Sequence, residues 1–254
     1  MPATHRDDLA LIAYAPALLG DDDRPLAIIH AMERSLPGLY LGWKISEEGQ
    51  RIPLPERDAW VARERQDGGF PLLCGGTEGT YASVTGWEGP ASSSSGGQAQ
   101  LEVHATLPLS AEYIVQASEA LQGLAEAARA FWGHVTPFSA GVDIARQTKN
   151  WAANPQPPPR GLPALKLPEA IPSPEIPQRL GWVNYWSAAA ARSVGFPDPA
   201  RDAELLSRSR RTSTGGWIVR LTEAPLDLDN PEHLKALMHA YERFPEIGGR
   251  FIRR

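Results

Sequence analysis

Between Trp151 and Pro177 the chain carries nine prolines, among them the run Pro157-Pro158-Pro159. Proline fixes φ and lacks a backbone N–H, so this stretch forms neither a regular helix nor a central strand, and extended polyproline geometry is expected. Regular elements must therefore come from residues 1–150 and 179–254, with 151–178 as a long connector. The second part is small, and its strands need another surface to cover them. The expectation is an α+β protein: a mostly antiparallel sheet covered by helices, in two lobes joined by the proline-rich connector, the C-terminal strand-strand-helix lobe packed on the first.

In residues 1–150, Leu9 to Tyr14 reads as a strand buried on both sides. Asp21, Asp22 and Asp23 form a turn, with Asp23 placed to cap a helix that Pro25 starts and that carries Ile29, Met32 and Leu36 on one stripe. Leu39 to Ile45 alternates as a second strand, and Arg57 to Gln66 as a charged helix with Trp60 and Val61 turned inward. Thr80–Trp87 and Gln98–Leu107 predict a hairpin whose Ser/Gly tip is mobile. On its second strand Leu101, Val103, Ala105 and Leu107 face one way, and Glu102, His104 and Thr106 face water or a partner. Ser110 is placed to cap the longest helix, through Ile114, Leu121, Leu124 and Phe131, the expected main cover of the sheet.

After the connector, Gly181-Trp182-Val183-Asn184-Tyr185-Trp186 has the alternation of a half-buried strand, with Trp182 and Trp186 on one face. Gly215-Gly216-Trp217 opens another strand, which places Trp217, Val219 and Leu221 inward and Arg220 outward. Asn230 then supplies an N-cap, Pro231 the first helical position and Glu232 a charge suited to the positive end of the helix dipole. Leu234, Leu237, Met238 and Tyr241 form its apolar face.

This order of pieces resembles the immunity protein 52 family of bacterial polymorphic toxin systems: an aromatic Gly-Trp strand, a Gly-Gly strand ending in Leu221-Thr222-Glu223, then Asn230-Pro231-Glu232-His233-Leu234 opening a helix. The resemblance also rests on Trp182, Tyr185, Gly216 and Pro225, covers little more than a quarter of the chain, and extends to residues 1–150 only in general layout. It implies a non-enzymatic partner that binds and silences a toxin encoded beside it, often one with a restriction-endonuclease-like nuclease domain. It also implies structural roles for Trp182, Tyr185, Gly216, Trp217, Asn230 and Pro231.

Composition is that of a soluble globular protein. The lone Cys74 makes no internal disulfide and suits a reducing cytoplasm. The N-terminus, with Asp7 and Asp8 before a short apolar run, lacks the form of a signal peptide, and no apolar stretch is long enough to cross a bilayer. Net charge is −5, and residues 1–150 hold 19 acidic against 11 basic side chains. That balance disfavours a nucleic-acid partner and suits docking on a basic protein surface. Asp21, Asp22, Asp23, Glu47 and Glu48 are the candidate toxin contacts, although turn formation and capping also account for the aspartates.

No nucleophile elbow, phosphate loop, His-Glu-x-x-His or paired Cys-x-x-Cys motif is present. Gly75 to Thr80 is glycine-rich but precedes a strand, where phosphate cradles precede a helix. The six histidines lie at no recognised metal spacing, so neither a cofactor nor a metal is expected. Two other readings stay open: an enzyme of unfamiliar type with a dispersed site around His104 and Glu102, and a carbohydrate-binding or interaction module built on the eight tryptophans.

Overall fold

The structure, a computed structural model, describes residues 8–64, 68–76, 81–148 and 156–251. The first half supplies β1 (Asp8–Pro16), α1 (Arg24–Ser35), β2 (Trp43–Ile45), β3 (Arg51–Pro53), α2 (Arg57–Arg63), β4 (Phe70–Gly75), β5 (Ala82–Gly89), β6 (Gln100–Pro108), α3 (Ala111–Ala128), β7 (Trp132–Pro137) and α4 (Phe138–Ala145). Beyond the connector come β8 (Val183–Trp186), α5 (Ala188–Ser193), α6 (Ala203–Ser207), β9 (Ser209–Arg211), β10 (Trp217–Arg220) and α7 (Pro231–Arg243). All ten strands join one antiparallel sheet in the order β3-β2-β4-β5-β6-β1-β7-β8-β10-β9. The two halves of the chain meet where β8 pairs with β7, Trp186 opposite Trp132.

One sheet face is apolar along its length. Leu9, Leu11 and Ala13 of β1, Leu101, Val103 and Ala105 of β6, and Val135 of β7 all point to it and are buried. α3 lies across this face beside α1, its Ala117, Leu121, Leu124 and Ala128 fully enclosed. At a saving of about 25 cal/mol per Å² of apolar area removed from water, this layer is the main source of stability. The helix ends at Ala128, before Phe131, because Arg129 takes the left-handed conformation at φ 56° and turns the chain into β7.

The opposite face is covered over only part of its width. Trp186 is wholly buried there, with Phe196 and Phe244 edge-on at 5.3 and 5.1 Å, so the segment after α5 and the end of α7 close over β8 and β10. The connector covers the neighbouring strip: Gln178 is buried and reaches Ser95 Oγ at 3.4 Å, and the Leu180 N–H donates to the Tyr241 hydroxyl at 3.2 Å. Over β4, β5, β6 and the near side of β1 this face stays open.

Several expectations change in detail. Leu39 and Leu41 are buried without being strand, because the Leu41 N–H donates to Glu33 Oε1 at 2.8 Å instead of to a neighbouring strand. β1 is wholly enclosed on its helical face, and on the other Tyr14 is buried while Ala10 and Ile12 are half-buried. The hairpin tip is held rather than free: Ser95 is fully buried and the Gly96 N–H donates to Ile171 O at 2.9 Å, under the connector. Arg220 is only half-exposed: it lies on the helical face and donates to Ser118 Oγ of α3 at 3.1 Å. Ser110 and Asp23 occupy the positions before α3 and α1, but neither side chain makes a capping hydrogen bond. Gln66, Thr77 to Thr80 and the connector's first residues, through Pro155, lie outside the described residues.

Candidate functional site

Strand register sets the composition of the open face. Directly paired residues share a face, so Trp87 of β5, Glu102 of β6, Tyr14 of β1 and Trp132 of β7 form one row. The next row runs Thr85, His104, Ile12, His134. Trp87 is 43% exposed, and its ring lies 4.1 Å from that of His104. Leu72 and Tyr81, 40% and 37% exposed, extend the patch across β4 and towards the sheet edge. An amphipathic strand packed on both sides would present no such surface.

Where the open face meets the connector, polar groups collect. Tyr14 stacks on Trp132 at 4.3 Å, and Trp132 is parallel to His134 at 6.3 Å. His134 is 4% exposed, and its Nδ1 is 3.0 Å from the buried Thr136 hydroxyl. Gly181 lets the chain approach here: a Cβ on it would lie 2.3 Å from Thr136 Oγ1 and 2.9 Å from His134 Nδ1. Two residues earlier, Arg179 is near enough for its charge to act on Tyr14, His134 and Tyr241. Burial, with Arg179 and His104 adding to it, pushes His134 down to about 3, so its ring is neutral at pH 7. Burial raises Tyr14 to about 12 against the pull of Arg179.

His104 and Glu102, the expected nucleus of a dispersed site, are both here, with Nε2 and Oε2 3.6 Å apart. Running the longest helix on to Phe131 leaves no room for β7, and so hides Trp132, His134 and Thr136. Arg179 stands just past the proline-rich stretch and belongs to no strand that would give it a register. The signal that could have found them is the alternation Trp132, His134, Thr136.

The candidate toxin contacts divide. Asp22 is committed internally: it pairs with Arg24 at 2.6 Å, and Arg24 donates onward to the carbonyls of Pro16, Ala17 and Ala128. Its hydrogen bond to Arg24, partly offset by burial, holds its carboxyl at about 2. Asp21 and Asp23 are exposed beside it, and Glu47 and Glu48 are exposed at the β2–β3 turn. The turn is closed by the Gly49 N–H to Ser46 O bond at 2.9 Å. The β1 end and this turn point the same way along the sheet, four strand positions or about 19 Å apart, so these acids lie at one end of the sheet without forming one cluster.

The motif residues of the C-terminal part hold the fold. Trp182 Nε1 donates to Thr222 O at 2.9 Å, which joins the Gly-Trp strand to the Leu-Thr-Glu turn. Tyr185 is buried on the helical face opposite Ile218. A Cβ at Gly216 would lie 2.6 Å from Trp186 O. Trp217 meets Phe196 edge-on at 5.2 Å, and Asn230 Oδ1 accepts from the Glu232 N–H at 3.0 Å ahead of Pro231. His233 Nδ1 accepts from the Asp227 N–H at 3.1 Å, a helix-start bond.

A cleft of about 490 Å³ between α6, α7 and the end of β10 is lined by Glu204, Arg208, Glu223, His233 and His239. Its charges are mixed, and Arg208 is tied to Glu204 at 3.1 Å. Among the described residues no group of three His, Cys, Asp or Glu side chains is placed to hold a metal ion. Trp132, Trp182 and Trp186 are each at most 1% exposed, so they are core rather than a stacking platform. No helix among the described residues is long and apolar enough to cross a membrane.

The molecule is thus an antiparallel α+β protein with one sheet face sealed by helices and the other partly bare. The chain belongs to the DUF5953 family, a domain of unknown function, which matches residues 20–252. Among solved structures it is similar to the Pseudomonas aeruginosa T6SS protein PA0821, with a TM-score of 0.51 and 14% identity, over 93% of this chain and 72% of that one. At that identity the likeness is one of fold. No curated protein matches.

Proposed function

We propose that this protein is an immunity protein of the kind the C-terminal motif resembles, acting in the cytoplasm to bind a cognate toxin, in the first instance a nuclease, and cover its active surface. The observation that carries the reading is the shared fold, across nearly the whole chain, with a protein named for a T6SS. The geometry supports it in a second way. The open sheet face exposes Trp87, Leu72 and Tyr81, and Asp21, Asp23, Glu47 and Glu48 are exposed at one end of the same sheet. An apolar anchor with carboxylates at one end of its sheet suits a basic protein surface such as one that handles nucleic acid: the charges accelerate encounter and the buried aromatic slows release. The protein does no chemistry of its own in this account.

The test is co-expression with the product of the adjacent reading frame, scored by growth and by co-purification. Rescue of growth together with a stable complex is expected. A partner shown to be toxic that is neither bound nor neutralised contradicts the proposal.

A further inference from the structure

Four nitrogens in the strip between the open face and the connector have no hydrogen-bond partner among the described residues: His104 Nε2, Trp132 Nε1, His134 Nε2 and Arg179 Nε, each with its atom buried. Leaving a buried polar group unmatched costs about 1–3 kcal/mol, and native folds keep only a few per hundred residues. Here four sit on one patch. Trp132 and His134 are neighbours on β7, and His104 and His134 pair with the same residue, Ile12, from either side. Arg179 stands just past the connector, between Gln178, which reaches Ser95 in the loop ahead of β6, and Gly181, which lies against His134 of β7, and so beside β1, the strand between those two.

The chemistry of these groups is one-sided. Trp132 Nε1 and Arg179 can only donate. The tautomer of neutral His134 whose Nδ1 accepts from the Thr136 hydroxyl carries its proton on Nε2 and donates as well, and the ring of His104 can present its Nε2 in the same way. Glu102 is at the rim, 3.6 Å from His104 Nε2, and makes no hydrogen bond to any of the four. The missing partner is an acceptor. One fixed cation, with a carboxylate nearby and neutral donors around it, matches a single negative charge better than a double one. A planar acceptor also suits the guanidinium fork.

We propose that Arg179, His134, Trp132 and His104 form a binding site for a carboxylate, at the inner end of the open face beneath the connector. The site does not depend on the toxin-binding reading: it is complete within one chain. Its ligand is a small carboxylic acid or a carboxylate side chain inserted by a bound protein.

Nuclear magnetic resonance of the full chain tests this. The Trp132 indole N–H and the His134 ring are followed while acetate, N-acetyl-aspartate methylamide or inorganic phosphate is added. Saturable shifts with either carboxylate are expected, and the tighter of the two identifies the source. Arg179→Gln should weaken that binding at least about tenfold, the scale of one charge-assisted hydrogen bond. Arg179→Lys, which keeps the charge and loses the fork, should weaken it too and serves if the first variant does not fold. Three results overturn the proposal: no saturable shift up to about 50 mM, a site too weak to matter; binding unchanged in both variants; or phosphate binding tighter than either carboxylate.

Discussion

His134 makes a prediction that concerns folding alone. Buried beside Thr136, with Arg179 and His104 both opposing a second positive charge, it stays neutral in the folded protein down to about pH 3. In the unfolded chain it titrates near 6.5. Below that pH the unfolded state binds the extra proton, so stability is complete above about pH 6.5 and falls as pH drops towards 3. The loss should reach about 2 kcal/mol by pH 5. Urea unfolding of wild type and His134→Gln across this range should show that slope in the first and its disappearance in the second; equal slopes would mean that His134 is not enclosed. Asp22 acts lower on the scale, its depressed carboxyl losing its contribution only as pH falls from about 4 towards 2. These two groups also mark the limit of residue-scale reading. Asp22 looked like a contact residue because sequence shows a charge without its partner, and Arg24 reaches three carbonyls that no local pattern announces.

Elements were legible where a single face set the pattern. β6 and α3 each alternate or repeat against one covered side, and Asn230-Pro231 marks the start of α7 by local chemistry alone. β3 and β9, three residues each, are too short to show a period, and in the wholly buried β7 the alternation of Trp132, His134 and Thr136 comes with no exposed side to set it off. The half-open face was foreseen from Glu102, His104 and Thr106, whereas its wall was not, because polyproline geometry fixes no neighbour. α7 is held by a contact equally invisible in sequence. The Asp202 carboxylate, fully buried, accepts from Arg243 Nε at 2.6 Å and from the Asp198 N–H at 2.7 Å. Asp202→Ala should cost about 3–5 kcal/mol in denaturant unfolding, since it strands a nearly enclosed guanidinium. Adding Arg243→Met should recover much of that loss; a double variant as unstable as the sum of both changes would show that the pair is not coupled.

For the whole molecule, the unequal cover of the two sheet faces is the central fact. The helical face is sealed, the connector and α7 close part of the other, and what is left presents Trp87, with exposed acids at one end of the sheet. The proposed function makes this remainder the surface that meets a toxin, and assigns affinity to the aromatic and encounter rate to the carboxylates. The two contributions separate in kinetics. The measurement that decides is dissociation of the complex with the co-purified toxin for wild type, for Trp87→Ala, and for charge reversal at Asp21, Asp23, Glu47 and Glu48. Trp87→Ala should raise the dissociation rate at least about thirtyfold, equivalent to roughly 2 kcal/mol at an interface centre. The charge-reversed protein should associate more slowly, with its dissociation rate little changed. Unaltered dissociation in Trp87→Ala, from a complex that forms normally, would place the toxin elsewhere and contradict the account.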